Sequence, residues 1–252
     1  MKKIYIIIAV IIVLLISVYY AKYQNNDLPI NIEHEQVVDD LMVVLSSELS
    51  NITNDHETSF SESQLTPEIV EILNADIKEI EERLSQVDSD DYSSDDRFAD
   101  MNVLAMKYQS LADWDKVGSI YLDILDNFQE RPLAWYNLAT YQIKAGSWRS
   151  ASDNLFRSLE LNNQFIPVWS QLLELYQYQI KIGADEMTGL YNLAIAYTND
   201  NSILRLYAEY LESNGQLEAA LSKWKLVYEQ TTENKQVILD RINRVQKKIN
   251  SQ

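Results

Sequence analysis

The feature that most constrains this chain is a recurrence in its C-terminal half. Met101, Trp135 and Trp169 follow one another at intervals of 34 residues, and so do Leu104, Leu138 and Leu172. Ala105 and Ala139 keep the same spacing, as do Val117 and Ala151, then Tyr121 and Leu155. A fourth copy follows with a slip of one residue, since Gly215 lies 69 positions after Gly146. Within a copy the apolar residues fall at helical spacing on either side of a short turn, so each copy reads as two helices. A period of this length is the mark of a supersecondary unit repeated along the chain. One helix pair cannot bury its apolar face alone, so successive pairs must stack. Ala139 and Ala151 are small where two antiparallel helices approach closely, and Trp135 and Leu155 fill the space between neighbouring pairs.

The best copy contains Trp135, Leu138, Ala139, Gly146, Ala151 and Leu155. The last gives Leu204, Tyr207, Ala208, Leu211, Gly215, Ala220 and Trp224, and the first gives Met101, Leu104, Ala105, Tyr108, Val117 and Tyr121. The third is regular through Trp169, Leu172, Leu173 and Tyr176, after which IKIGADEMTG inserts a couple of residues before the second helix. This pattern resembles the tetratricopeptide repeat (TPR), over residues 98 to about 231. The resemblance implies an all-α fold, a TPR-type α-solenoid of about four helix pairs wound as a right-handed superhelix. KQVILDRINRVQKKIN (235–250), with Ile238, Ile242, Val245 and Ile249 along one face, is expected to close the stack as a C-terminal capping helix.

Such stacks leave a concave groove lined by the first helix of each pair, where residues are free of core duties. By repeat position the lining should be Asn102, Met106 and Gln109, then Tyr136, Thr140, Ile143 and Lys144. Ser170, Glu174, Gln177 and Tyr178 follow from the third pair, and Arg205, Glu209 and Glu212 from the fourth. Apolar and aromatic groups beside both charges suit a protein or peptide ligand held partly by side-chain insertion. The set does not reproduce the all-Lys/Asn clamp with which some TPR proteins hold a C-terminal carboxylate.

The N-terminal part has a different character. Ile4 to Tyr20, IYIIIAVIIVLLISVYY, is an uncharged run, and with Ala21 it is long enough as a helix to span hydrocarbon. Lys2 and Lys3 precede it, and Tyr19, Tyr20 and Tyr23 sit at the level of an interfacial belt. No small-x-small cleavage pattern follows, so residues 1–21 are expected to remain as a single-pass transmembrane anchor. The two lysines argue for an N-terminus inside the cell with the acidic remainder outside, which for a bacterial inner-membrane protein means a cytoplasmic N-terminus and a periplasmic bulk. Residues 22–97 read as an acidic spacer with two amphipathic helices, about 33–52 and 67–86. The first carries Val37, Val38, Leu41, Met42, Leu45, Leu49 and Ile52, a candidate seam for a partner helix, for the same chain or for the membrane. Thr66-Pro67 reads as the start of the second, whose stripe is Ile69, Leu73, Ile77, Ile80 and Leu84. DSDDYSSDD (88–96) reads as a solvated linker without the glycine and terminal glutamate of a calcium loop. Residues 98–252 form the repeat domain.

Charge and composition exclude several functions. The net charge is −17, nearly all of it between Lys22 and Asp100, so no basic face offers itself to nucleic acid. Cysteine is absent, which removes disulfides, thiolate metal sites and a cysteine nucleophile. His34 and His56 are the only histidines, without ligand partners at suitable spacing, and no phosphate loop, nucleophile elbow or metalloprotease motif occurs. The chain therefore reads as a binding protein, not an enzyme, with no cofactor and no metal. The whole layout is similar to the TPR subunits of bacterial c-type cytochrome maturation, and residues 219–249 carry the most specific part of the likeness. That resemblance implies a groove that holds the C-terminal helix of an apocytochrome for the haem lyase. A scaffold subunit of an envelope assembly or secretion machine and a translocon-associated holdase chaperone remain alternatives.

Overall fold

The computed structural model describes residues 65–86 and 92–251, together with Leu45 as a single earlier position. The chain divides into two compact units, one of residues 53–175 and one joining 1–52 with 176–252. Among the described residues every regular element is helical, and no helix is long and apolar enough to cross a membrane. The expected anchor, residues 1–21, and the expected helix 33–52 lie outside the described residues except at Leu45.

Among the described residues of the unit 53–175, six α-helices follow one another: α1 (Pro67–Leu84), α2 (Ser94–Ser110), α3 (Trp114–Phe128), α4 (Pro132–Lys144), α5 (Trp148–Leu161) and α6 (Ile166–Glu174). Each packs on the next, so that α2/α3 and α4/α5 are the first two expected hairpins. Thr66 takes the position before α1 and Pro67 opens it, as proline can where no intrahelical amide bond is needed. Helix α2 begins at Ser94, inside the stretch expected to be a linker, because Ser93 and Asp96 make a reciprocal capping box. Ile77 and Ile80 of α1 enter the same core as Met101, Leu104, Val117, Tyr121 and Leu138. Ala105, Ala139 and Ala151 are fully buried, as close helix approach requires.

A π-helical turn, Leu175–Ile180, continues from α6, and four α-helices follow it among the described residues. They are α7 (Ala184–Thr198), α8 (Asn201–Ser213), α9 (Leu217–Gln230) and α10 (Lys235–Asn250), again each packed on its successor. The closing helix lies where the sequence places it, with Ile238 and Val245 buried.

The hairpin turns explain the slip in the repeat. Ala112, Gly146, Lys181 and Gly215 all have positive φ, between 58° and 74°, at the same point of their turns. In three copies an amide five residues on bonds back to the helix: Asp113 to the Tyr108 carbonyl at 3.0 Å, Ser147 to Gln142 at 2.8 Å and Gln216 to Leu211 at 2.9 Å. These are the closing bonds of left-handed helix caps. In the third copy both Lys181 (2.8 Å) and Ile182 (3.3 Å) donate to the Tyr176 carbonyl. One extra residue therefore sits between Tyr176 and Lys181, taken up by the π-turn. A second lies before Met187, which is 36 residues past its equivalent Ala151, whereas Ala220 is only 33 further on.

A second device recurs. The Trp135 indole donates to the Gln129 carbonyl at 2.7 Å, and the Trp169 indole to the Asn163 carbonyl at 2.7 Å. Donors and acceptors are both 34 residues apart. Trp169 is buried and Trp135 half-buried, so neither points freely into water.

Candidate polypeptide-binding face

The outward face of α2 is set by what holds its other side. Asp100 accepts from Arg83 Nε and Nη2, both at 2.8 Å, and from the Tyr92 hydroxyl at 2.9 Å. The Arg83 guanidinium holds the Asp100 carboxyl below its ordinary range, although burial opposes it. Tyr92 is pushed up to about 12, by burial first and by its bond to Asp100 second. Lys107 reaches Asp76 at 2.6 Å, and the Tyr108 hydroxyl donates to Glu81 at 2.8 Å. With α1 fixed on that side and Phe98, Met101, Leu104 and Ala105 buried, α2 turns Asn102, Val103, Met106 and Gln109 outward.

Helix α4 repeats the arrangement. Arg131, just before it, lies over the rings of Phe98 (4.6 Å) and Phe128 (5.1 Å) and pairs with Asp95 at 2.5 Å. The Ser158 hydroxyl donates to the Pro132 carbonyl at 2.7 Å, tying α5 to the start of α4. Ala134, Leu138 and Ala139 are buried, which leaves Leu133, Tyr136, Asn137 and Thr140 on the opposite face.

Side chains join these faces across the hairpins. Asn137 Nδ2 donates to Asn102 Oδ1 at 2.5 Å, and Asn102 Nδ2 donates to the Phe98 carbonyl at 2.7 Å. The Thr140 hydroxyl lies 2.9 Å from the Tyr136 carbonyl and 3.3 Å from Gln171 Oε1 on α6. The Tyr136 ring stands 5.7 Å from that of Phe165. Beside this polar row Met106 is 62% exposed, Val103 40% and Leu133 39%. The charged groups at its margin are Lys144, 5.9 Å over the Trp114 ring, and the exposed Glu174.

Nine of the expected groove residues thus fall in the unit of residues 53–175: Asn102, Met106, Gln109, Tyr136, Thr140, Ile143, Lys144, Ser170 and Glu174. Val103, Leu133, Asn137 and Gln171 share that face, and repeat position alone does not find them. A signal for Val103, Asn137 and Gln171 exists, since sliding by 34 pairs Val103 with Asn137 and Asn137 with Gln171, one position after the row of Asn102, Tyr136 and Ser170.

Tyr178, Arg205 and Glu209 fall in the other unit. Tyr178 is exposed, and Arg205 pairs with Glu209 at 3.2 Å along α8. Two residues expected to line the groove are engaged internally instead. Gln177 accepts from the Tyr191 hydroxyl at 3.0 Å. Glu212, with a side chain only 7% exposed, binds Arg241 at 2.7 Å and Lys248 at 2.8 Å and so anchors α10. Burial raises the Glu212 pKa, but the bonds from Lys248 and Arg241 outweigh it and hold the carboxyl below its ordinary value. Tyr191 stacks on Tyr207 at 4.8 Å, and Lys223 lies 5.1 Å over the Tyr207 ring, its pKa lowered by burial. Among the described residues no cluster of acids and histidines could hold a metal ion.

No protein-family model matches the chain, and no curated protein matches its sequence. Solved structures do. BtubC from P. vanneervenii has a TM-score of 0.51 at 14% identity, over 71% of this chain and 93% of that one. A thermophilic TPR protein of Thermus thermophilus, TTC0263, gives 0.48 at 15% identity over 70% and 92%. MamA gives 0.48 at 14% over 62% and 87%. The likeness to BtubC is one of fold. The hairpins themselves, recurring about every 34 residues with equivalent positions buried, make the described fold an all-α one of TPR type.

Proposed function

We propose that this chain is an adaptor, held at a bacterial inner membrane by residues 1–21, that binds a polypeptide across α2 and α4, the first helices of its first two hairpins. The observation that carries the reading is the face of α2 and α4. There Met106, Val103 and Leu133 stand exposed beside an amide row that the core does not need. Exposed apolar side chains next to oriented hydrogen-bonding groups favour a partner offering both an apolar face and polar groups, as a peptide or helix does. Tyr136 supplies a large, weakly flexible contact at the centre.

The periplasmic setting rests on the lysines ahead of the apolar run at 4–21. An apocytochrome as the partner, during cytochrome c maturation, rests on the resemblance of residues 219–249. The placement of Trp224 in a second helix followed at once by α10 supports it. A scaffold subunit of an envelope machine uses the same face for a folded neighbour, and a holdase uses it for many unfolded chains.

A photo-crosslinking amino acid at Met106 or Tyr136 of the full-length protein in its own cells tests the first statement. One polypeptide should be captured from both positions and not from Leu122, which is 55% exposed on α3. Equal labelling from Leu122 refutes the assignment of the face. Loss of haem-stained c-type cytochromes on gene deletion supports the apocytochrome, whereas normal staining with a secretion or motility defect supports the scaffold.

A further inference from the structure

Charge is divided unevenly between the helices of the unit 53–175. Helix α4 carries no charged residue from Pro132 to Ile143, and α6 none from Ile166 to Leu173. The second helices differ: α3 carries Asp115, Lys116, Asp123 and Asp126, and α5 carries Arg149, Asp153, Arg157 and Glu160. Helix α2 does hold charges, but Asp100 bonds to Arg83 and Lys107 to Asp76, both on α1. Its outward row of Asn102, Val103, Met106 and Gln109 is neutral. The charges that border the face stand at the helix ends, where Asp95 pairs with Arg131 and Lys144 lies over the Trp114 ring. The centre of the face is thus charge-free in a chain in which charged residues make up 23% and the net charge is −17.

We propose that, on the reading of α2 and α4 as a polypeptide-binding face, the segment bound there is itself uncharged: an apolar stretch interspersed with Ser, Thr, Asn or Gln and held without ion pairs. An ammonium or carboxylate pressed against Met106, Val103 and Leu133 loses its hydration and meets no opposite charge, a cost that neutral hydrogen bonds do not return. Hydroxyl and amide groups do find partners, because Asn137, Thr140 and Gln171 present neutral donors and acceptors. The overall charge of −17 acts in the opposite sense, since its field draws basic chains toward the protein. That attraction governs encounter, whereas the contact itself discriminates by desolvation. The face therefore rejects the segments that the net charge attracts.

Photo-crosslinking on the full-length protein in detergent, with the reactive residue at Tyr136 and a control at Leu122, tests this directly. The probes are synthetic peptide pools that share their apolar positions and differ elsewhere: one carries Ser, Thr, Asn and Gln, one Lys and Arg, one Asp and Glu. The neutral pool should be captured at Tyr136 at least about tenfold more than either charged pool, the factor that about 1.4 kcal/mol of lost solvation produces. Its capture should change by less than about twofold between low and high salt. Met106→Glu alters a side chain that is 62% exposed, so the fold is little disturbed. It should move the preference to the basic pool and make capture fall with salt. Capture of a charged pool by the wild type as strongly as the neutral one, or a several-fold loss with salt, overturns the proposal and leaves the binding face intact. An unchanged preference in Met106→Glu also overturns it. Capture of no pool at Tyr136, or equal capture at Leu122, removes the binding face and the proposal together.

Discussion

Glu212 gives the sharpest test of how the C-terminal end is held. Its side chain is 7% exposed and receives Arg241 at 2.7 Å and Lys248 at 2.8 Å, both from α10. Hydrogen bonds to charged groups contribute about 1.5–3 kcal/mol each, and breaking a fully buried pair costs about 3–5 kcal/mol. Here Arg241 is 35% exposed and Lys248 57%, so water recovers much of their solvation when the acid is lost. Glu212→Gln should therefore cost about 2 kcal/mol. In a urea titration followed by circular dichroism this lowers the midpoint by about 1 M. Exchange should speed up first in α10. The sign with pH follows from the lowered carboxyl: stabilisation is complete above the ordinary value of 4.5 and disappears as pH falls through the lower folded value. The wild type should lose its advantage over the variant across that interval. A cost below about 0.5 kcal/mol, or one abolished by moderate salt, would show an ordinary surface pair and refute the anchoring role.

Three further outcomes follow from the packing and the turns. Lys181→Gly should stabilise by about 1 kcal/mol because a side chain at positive φ is removed, while Gly215→Ala, at φ 74°, should destabilise by about the same amount; thermal melts of both variants check the sign. Leu155→Ala empties a fully buried site and should cost about 3–4 kcal/mol in the same titration. Gly118→Ala places a Cβ about 2.6 Å from the Tyr141 hydroxyl, so it should destabilise despite better helix propensity, and Tyr141→Leu in that background should recover part of the loss.

Much of this architecture is legible in the sequence because the repeat imposes the same physical demand at each copy. Ala139, Ala151, Ala208 and Ala220 are small for one reason, and all four are fully buried. The slip between Gly146 and Gly215 announces an irregularity, but its form depends on backbone geometry at Tyr176 that residue types do not encode. Ala112 and Lys181 adopt positive φ without being glycine, so no residue type marks them as turn positions. Repeat position reaches one row short of the full outward face. It predicts which way a side chain points, whereas the bonds from Asn137 to Asn102 and from Thr140 to Gln171 depend on how hairpins stack. Glu212 escapes the sequence pattern for the same reason: its partners lie 29 and 36 residues ahead on another helix.

The indoles of Trp135 and Trp169 carry a last consequence. Each reaches back six residues to seize a main-chain oxygen of the connector that precedes its own helix. A connector pinned from downstream has its length set as tightly as its residue types. A single added residue between Gln129 and Trp135 pulls donor from acceptor and frees the connector that the indole holds.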